Sequence, residues 1–276
     1  MARVAGLFSY PVKGCAPMVL ADAVVTAAGL AHDRSFMVVG EDGVFRSQRR
    51  DPRLALIRPT VSGEGSRMTL AADGTGDVVF DVDASGPRRA VELFGVPMRG
   101  IDQGDDAADW LSAVLGVASR LVRVPPEHAR VTDGKTPGTP GTSGFADSSA
   151  IHLLSAASVR GLARRLGERG LPGLPVNRFR PNILVEGWEE HQEDGVRGFS
   201  AGSAEFGYTK PAIRCAVTTV DQHAGVRKGP EPLRTLATYR RIEGGVAFGT
   251  KFAVLRQGKV SVGDELIVSD RSAQSR

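Results

Sequence analysis

The 276-residue chain is 41% hydrophobic and 24% charged, the balance of an ordinary globular protein with enough apolar residues for a large core. Its net charge of +4 and pI near 9.3 are only mildly basic, and its arginines are scattered without a basic stripe, which argues against a nucleic-acid binder. No apolar run approaches the roughly 20 residues of a bilayer span, and the N-terminal stretch lacks the long apolar region of a signal peptide, so a cytoplasmic location is expected.

The first hundred or so residues read as short strands between tight turns: RVAGLFSY, VLADAVVTA, RSFMVVG, VFRSQRR, LALIRPTVS, RMTLAA, DVVFDV and RAVELF. GEDG at 40–43 and GEGS at 63–66 are hairpin signals, and the regular spacing predicts a barrel or sandwich-like β region over 1–120. A helix follows at 105–116, with acidic residues in its first turn and a closing glycine. Residues 125–148 interleave Pro, Gly, Thr and Ser and predict an irregular loop, either plain surface or a lid over a pocket. Beyond it AIHLL predicts a strand, and 155–170 a helix with Val159, Leu162, Ala163 and Leu166 on one face. NILVEG, SAEFGYT, AVTTV, VAFGTKFAVL and VSVGDELIV predict a second set of strands over 149–270, with one short helix in PEPLRTLATYRR. The class is α+β, mainly β, with a few short helices.

Two cysteines, Cys15 and Cys215, exclude a disulfide framework and a four-thiolate iron–sulfur cluster. The five histidines show no H-x-x-x-H spacing, so a metal here would need donors beyond a protein-only cage. Cys215 is the more informative thiol, because in KPAIRCAVTTVD it has Arg214 beside it and Lys210 five positions before. Cations favour the thiolate, the form that ligates metals and attacks electrophiles. The alternative is a small inert hydrophobe on a buried strand. Only six lysines occur among 35 basic residues, so those in YPVKGC, TKPAIRC and FGTKF mark positions suited to a compact ammonium.

Nine blocks in order carry a family resemblance: YPVKGC, GLAHDRSFMVV, QRRDPRLALI, FADSS, RFRPNILVEG, KPAIRCAVTTVD, GPEPLRTLATYRR, FGTKF and VGDEL. Together they resemble the MOSC family, named for the C-terminal domain of molybdenum-cofactor sulfurase, in the version with an N-terminal β-barrel region to which the mitochondrial amidoxime-reducing component belongs. The resemblance spans nearly the whole chain. It implies a MOSC-type β-barrel fold and a molybdenum–pterin cofactor whose metal takes one protein thiolate, at Cys215. It further implies cofactor contacts from Lys13, Arg34, Ser148, Ser149, Arg180, Arg214 and Lys251, and no metal bond from Cys15. Arginine suits a phosphate bidentately and lysine as a point charge. Gly14, Ile213 and Lys251 depart from the residues usual at those places.

The activity implied is reduction of N-hydroxylated compounds (amidoximes, hydroxylamines, N-oxides) with electrons from a separate ferredoxin, haem or flavin protein. Asp147 and Asp221 are candidate proton donors or, more simply, structural anchors. Two other readings stay open: a sulfur carrier using a Cys215 persulfide, and a carrier that hands on molybdenum cofactor without turnover. The persulfide reading needs only a nucleophilic thiolate, whereas a cofactor site shared by Lys13, Arg34, Arg180 and Cys215 requires residues 1–100 to complete a site whose ligand lies in the C-terminal half.

Overall fold

The structure, a computed structural model, describes residues 1–131 and 141–271. The pleated, β-branched segments found in the sequence assemble into one large sheet and several small ones. The large sheet runs in the order Leu266–Arg271, Val196–Ala201, Ala204–Ile213, Gly245–Arg256, Ile151–Ser155, Ile183–Glu186, Arg3–Ser9 and Met18–Leu20, with Arg241–Ile242 added on Gly245–Arg256. Neighbours are antiparallel except Ile151–Ser155 and Ile183–Glu186, which are parallel and joined through helix α2 (Ala156–Gly167). The sheet curls until its ends approach, and Val4 N–H donates to the Asp264 carbonyl at 2.9 Å. That bond, two others like it and one isolated bridge, Arg3 with Glu265, span the gap, so among the described residues no strand ladder closes the sheet into a full barrel.

The two halves of the sequence interleave. Arg3–Ser9 pairs with Ile183–Glu186, and Asp22–Thr26 pairs with Gly258–Ser261. The main core accordingly mixes Val4, Leu7 and Val25 with Phe199, Phe206 and Phe252, all nearly inaccessible. A second core gathers Val12, Cys15, Phe36, Leu54 and Met68 under helix α1 (Asp105–Leu115), which contributes Trp110 and Leu111. A five-stranded sheet made of Arg88–Leu93, Val96–Asp102, Arg120–Arg123, Phe36–Val39 and Val12–Lys13 joins that core to the first turn after Arg3–Ser9.

Both long helices form where their patterns place them. Gly116 ends α1 in the left-handed region at φ 70°, and the Ser155 hydroxyl caps α2 by accepting the Ala157 N–H at 3.2 Å. The GEGS turn joins Arg58–Val61 to Arg67–Ala72 as a hairpin. Five strand expectations are corrected, the first being VLADAVVTA, which is two strands in different sheets, Met18–Leu20 and Asp22–Thr26. AVTTV is a 3-10 turn at Ala216–Thr219, because Thr218 and Thr219 hydroxyls donate back to the Cys215 and Ala216 carbonyls and satisfy them without a ladder. In VFRSQRR only Val44 and Phe45 make isolated bridges, to Glu92 and Val39, and the rest turns as the Ser47 carbonyl accepts Arg50 and Asp51 N–H groups. LALI belongs to a 3-10 turn at Pro52–Leu56, and VSVGDELIV is two strands in different sheets. Of the irregular 125–148 segment, residues 132–140 lie outside the described residues, and its far end is pinned by buried Phe145, whose N–H donates to the Arg34 carbonyl at 2.7 Å.

A buried carboxyl supports α2. Glu193 accepts the Ser155 N–H at 3.2 Å and the Ser158 hydroxyl at 2.8 Å at the start of that helix. Burial pushes its carboxyl up to about 7. A raised folded-state value means that the native chain holds this proton more tightly, so its contribution is complete below the ordinary carboxyl range and fades as pH rises through 7. In urea titrations the stability lead of wild type over Glu193→Gln is expected to be larger at pH 5 than at pH 8. Separately, Leu7→Ala empties a fully buried position between the two halves and is expected to cost about 2–5 kcal/mol, read from the same denaturation curves.

Candidate functional site

One cleft is shared by both halves. Counting its open mouth it spans about 890 Å³, within the range of small-molecule pockets. Strand Ala204–Ile213 delivers Arg214 and Cys215 to its wall, and the backbone there is fixed: Arg214 N–H donates to the Val246 carbonyl at 2.8 Å, and the Cys215 carbonyl accepts the Thr218 N–H at 3.0 Å. Cys215 is partly exposed in an extended conformation, whereas Cys15 is sealed in the N-terminal core, where burial pushes its thiol up to about 12. The two thiols are both free.

The opposite wall comes from the N-terminal half. The turn after Arg3–Ser9 presents Lys13, whose ammonium pairs with the Asp147 carboxylate and lies 5.0 Å from the Phe94 ring centre. Arg34 bonds Asp33, the Asn182 amide oxygen at 3.1 Å and the Arg180 carbonyl at 3.2 Å. Arg180 donates to the Cys15 carbonyl at 2.7 Å. Both guanidiniums stack on buried Tyr10, at 4.4 and 4.1 Å from its centre. Arg34, Phe94 and Arg180 adopt positive φ of 48°, 56° and 54°. Such strain costs on the order of 1–3 kcal/mol per residue and persists where surrounding contacts over-determine it, a pattern that clusters at functional sites.

The remaining cations are held by neutral groups. Arg214 donates to the Phe179 carbonyl at 3.0 Å and approaches His152 Nε2 at 3.5 Å. Arginine can only donate, so that nitrogen accepts and the ring proton sits on Nδ1, 3.4 Å from the Arg180 carbonyl. Burial, then the charges of Arg214 and Lys251, pull His152 below its ordinary value, so the ring is neutral. Gly249, at φ 83°, lets the backbone pass this ring, since a Cβ there would fall 2.4 Å from Nε2. Lys251 donates to the Ser148 hydroxyl at 2.8 Å, and burial lowers its ammonium to about 8. Burial also lowers Lys13. Asp147 sits at the rim, where enclosure opposes its charge, but attraction to Lys13 and then Lys251 keeps its carboxyl below the usual range and ionised.

Six of the seven proposed cofactor contacts line the cleft, as does Cys215; the seventh, Ser148, stands behind Lys251. Ser149 lines it with its hydroxyl 2.7 Å from that of Thr209. Asp221 is an anchor, bound to Arg178, Lys228 and the N–H groups of His223 and Ala224. Of the lining residues not singled out in the sequence, Arg49, Asn182, His152 and Phe94 bear most on its chemistry. QRR and RFRPN held two of them, but as pattern only. The balance is electropositive, with Lys13, Arg34, Arg49, Arg180, Arg214 and Lys251 facing one lining carboxylate, Asp147. Among the described residues no cluster of three or more His, Cys, Asp or Glu is arranged to hold a metal alone, and no helix is long and apolar enough to cross a membrane.

Fold and cleft together define a β-rich protein whose halves build one anion-receptive site around a single accessible thiol. Residues 1–118 match the MOSC N-terminal beta barrel domain and residues 140–267 the MOSC domain, so the chain belongs to the MOSC family. It is 33% identical to mitochondrial amidoxime-reducing component 1 of Mus musculus, over 96% of this chain and 81% of that protein. The human counterpart is 30% identical over 96% and 82%. It is also 31% identical to molybdenum cofactor sulfurase 1 of Aedes aegypti, over 87% of this chain but 32% of that much longer protein.

Lys251 gives the cleft a pH dependence. Its ammonium is charged below about 8 and neutral above, so binding of sulfate, whose own charge is constant over this range, to cofactor-free protein is expected to weaken about three- to tenfold between pH 7 and pH 9 by calorimetry. Lys251→Met should bind more weakly at pH 7 and lose most of that slope.

Proposed function

We propose that this protein is a molybdenum-cofactor-dependent oxidoreductase that reduces N-hydroxylated compounds such as amidoximes, hydroxylamines and N-oxides. The observation that carries the reading is the joining of an accessible thiol, Cys215, to cations drawn from both halves of the chain in one cleft. The residues fit such a cofactor. A thiolate is the soft donor that molybdenum accepts, and Arg180 Nη2 and Arg214 Nε are buried without a protein partner, as donors awaiting an acceptor. Relatives about 30% identical over most of their length are named for amidoxime reduction.

In this reading Cys215 supplies the metal's protein ligand, and Lys13, Arg34, Arg180, Arg214 and Lys251 hold the pterin and its phosphate with Ser148 and Ser149. The bound cofactor supplies the two-electron chemistry. The protein's part is electrostatic and positional. Stacking on Tyr10 fixes the planes of Arg34 and Arg180, the neutral His152 accepts from Arg214, and ionised Asp147 holds Lys13 in place rather than donating a proton. Burial lowers Lys251 Nζ to about 8, and a bound anion would favour its charged form, so its part is to hold the ligand as a cation. In this reading electrons reach the site from a separate donor protein.

Protein made in cofactor-competent cells is expected to carry about one molybdenum per chain by elemental analysis, and Cys215→Ala to lose the metal or its reductase activity. Full molybdenum-dependent activity in that variant overturns the ligand assignment. The likeness to a molybdenum cofactor sulfurase supports a second reading, a persulfide carrier. Cyanide-releasable sulfur on Cys215 in molybdenum-free protein, with no reductase activity, would select it.

A further inference from the structure

Arg49 is the cation in the cleft to which the resemblance assigns no role, although it lies in the QRRDPRLALI block. Its guanidinium approaches Cys215 Sγ, with Nη1 at 3.8 Å, and lies 5.6 Å from the Phe94 ring centre. Among the described residues no carboxylate lies within ion-pair reach of it, while Lys13 has Asp147 and Arg34 has Asp33. Its backbone is fixed, since its carbonyl accepts from Arg227 and neighbouring Gln48 exchanges amide hydrogen bonds with Gln222 at 3.0 and 3.2 Å. The residue therefore offers a pre-positioned, uncompensated fork of donors on the cysteine side of the cleft, beside apolar Phe94 and Ile213.

We propose that Arg49 is a specificity-determining residue that receives the carboxylate of an N-oxygenated substrate beside Cys215. This rests on the reductase reading and adds the substrate's charge to it. A guanidinium matches a carboxylate with two parallel hydrogen bonds, and such a pair in a partly desolvated cleft discriminates strongly against neutral analogues. The aromatic face of Phe94 suits the flat body of an aryl or amidine substrate.

Two arms test this. The first needs no cofactor: cofactor-free protein is alkylated with iodoacetate or iodoacetamide, and modification of Cys215 is followed by peptide mass mapping. Both reagents meet the same thiolate, so the ratio of their rates reports attraction of the anion alone. Arg49→Gln is expected to lower the iodoacetate-to-iodoacetamide ratio at least about threefold, and Arg49→Lys to restore most of it. A ratio unchanged in Arg49→Gln overturns the proposal. The second arm compares benzamidoxime with its 4-carboxylate on the molybdenum-loaded enzyme. The kcat/KM preference for the carboxylate is expected to fall about tenfold in Arg49→Gln. Equal losses on both substrates would make Arg49 a cofactor contact and overturn the proposal. Loaded wild-type enzyme that reduces neither compound would instead count against the reductase reading, while the alkylation ratio still decides the anion site.

Discussion

The cleft depends on one buried amide. Asn182 is 1% exposed and sits where the two halves of the chain meet. Its amide oxygen accepts the His152 N–H at 3.1 Å and Arg34 Nη1 at 3.1 Å, while its amide nitrogen donates to the Phe8 carbonyl at 3.1 Å. Both groups on the oxygen can only donate, so the orientation of the amide follows from its partners. Its backbone adds two more links, to His152 and Phe8, at 2.7 and 2.9 Å. One side chain thus ties strand Arg3–Ser9, strand Ile151–Ser155 and Arg34 together, and an unsatisfied replacement there would leave several buried groups without partners at once.

From that tie the electrostatics follow. With Arg34 held over Tyr10 and beside Arg180, like charges are concentrated in a space that excludes much of the water. The fold tolerates them by giving most a carbonyl, hydroxyl or carboxylate, with Asp33 and Asp147 taking the first share. Repulsion remains, and a bound anion relieves it. Ligand binding and folding stability are therefore coupled in this protein, with the ligand stabilising the native state by mass action.

Much of the architecture was legible because its causes are local. Helix α1 announced itself by acidic residues at one end and Gly116 at the other, and helix α2 by the spacing of Leu162 and Leu166. AVTTV misled because β-branched residues favour strands on average, whereas here the chain has just left one and threonine hydroxyls turn it at once. Pairing of Arg3–Ser9 with Ile183–Glu186 leaves no local trace, since any half-buried strand looks alike before its partner is known. Site residues were legible chiefly through family blocks. Arg49 lay inside the QRRDPRLALI block with no role attached, because what distinguishes it is the approach of its side chain to Cys215.

The interleaving also sets a timetable for synthesis. Phe8 and Asn182 are 174 residues apart, and ribosomes add roughly 5–20 residues per second. One edge of the first strand can pair with Met18–Leu20 at once, but the other must wait on the order of 10–35 seconds before Ile183–Glu186 emerges. Through that interval an apolar segment with an unpaired backbone edge is available to the wrong neighbour. A more stable finished native state does nothing to shorten that interval, which is a property of the chain's order and not of its strength.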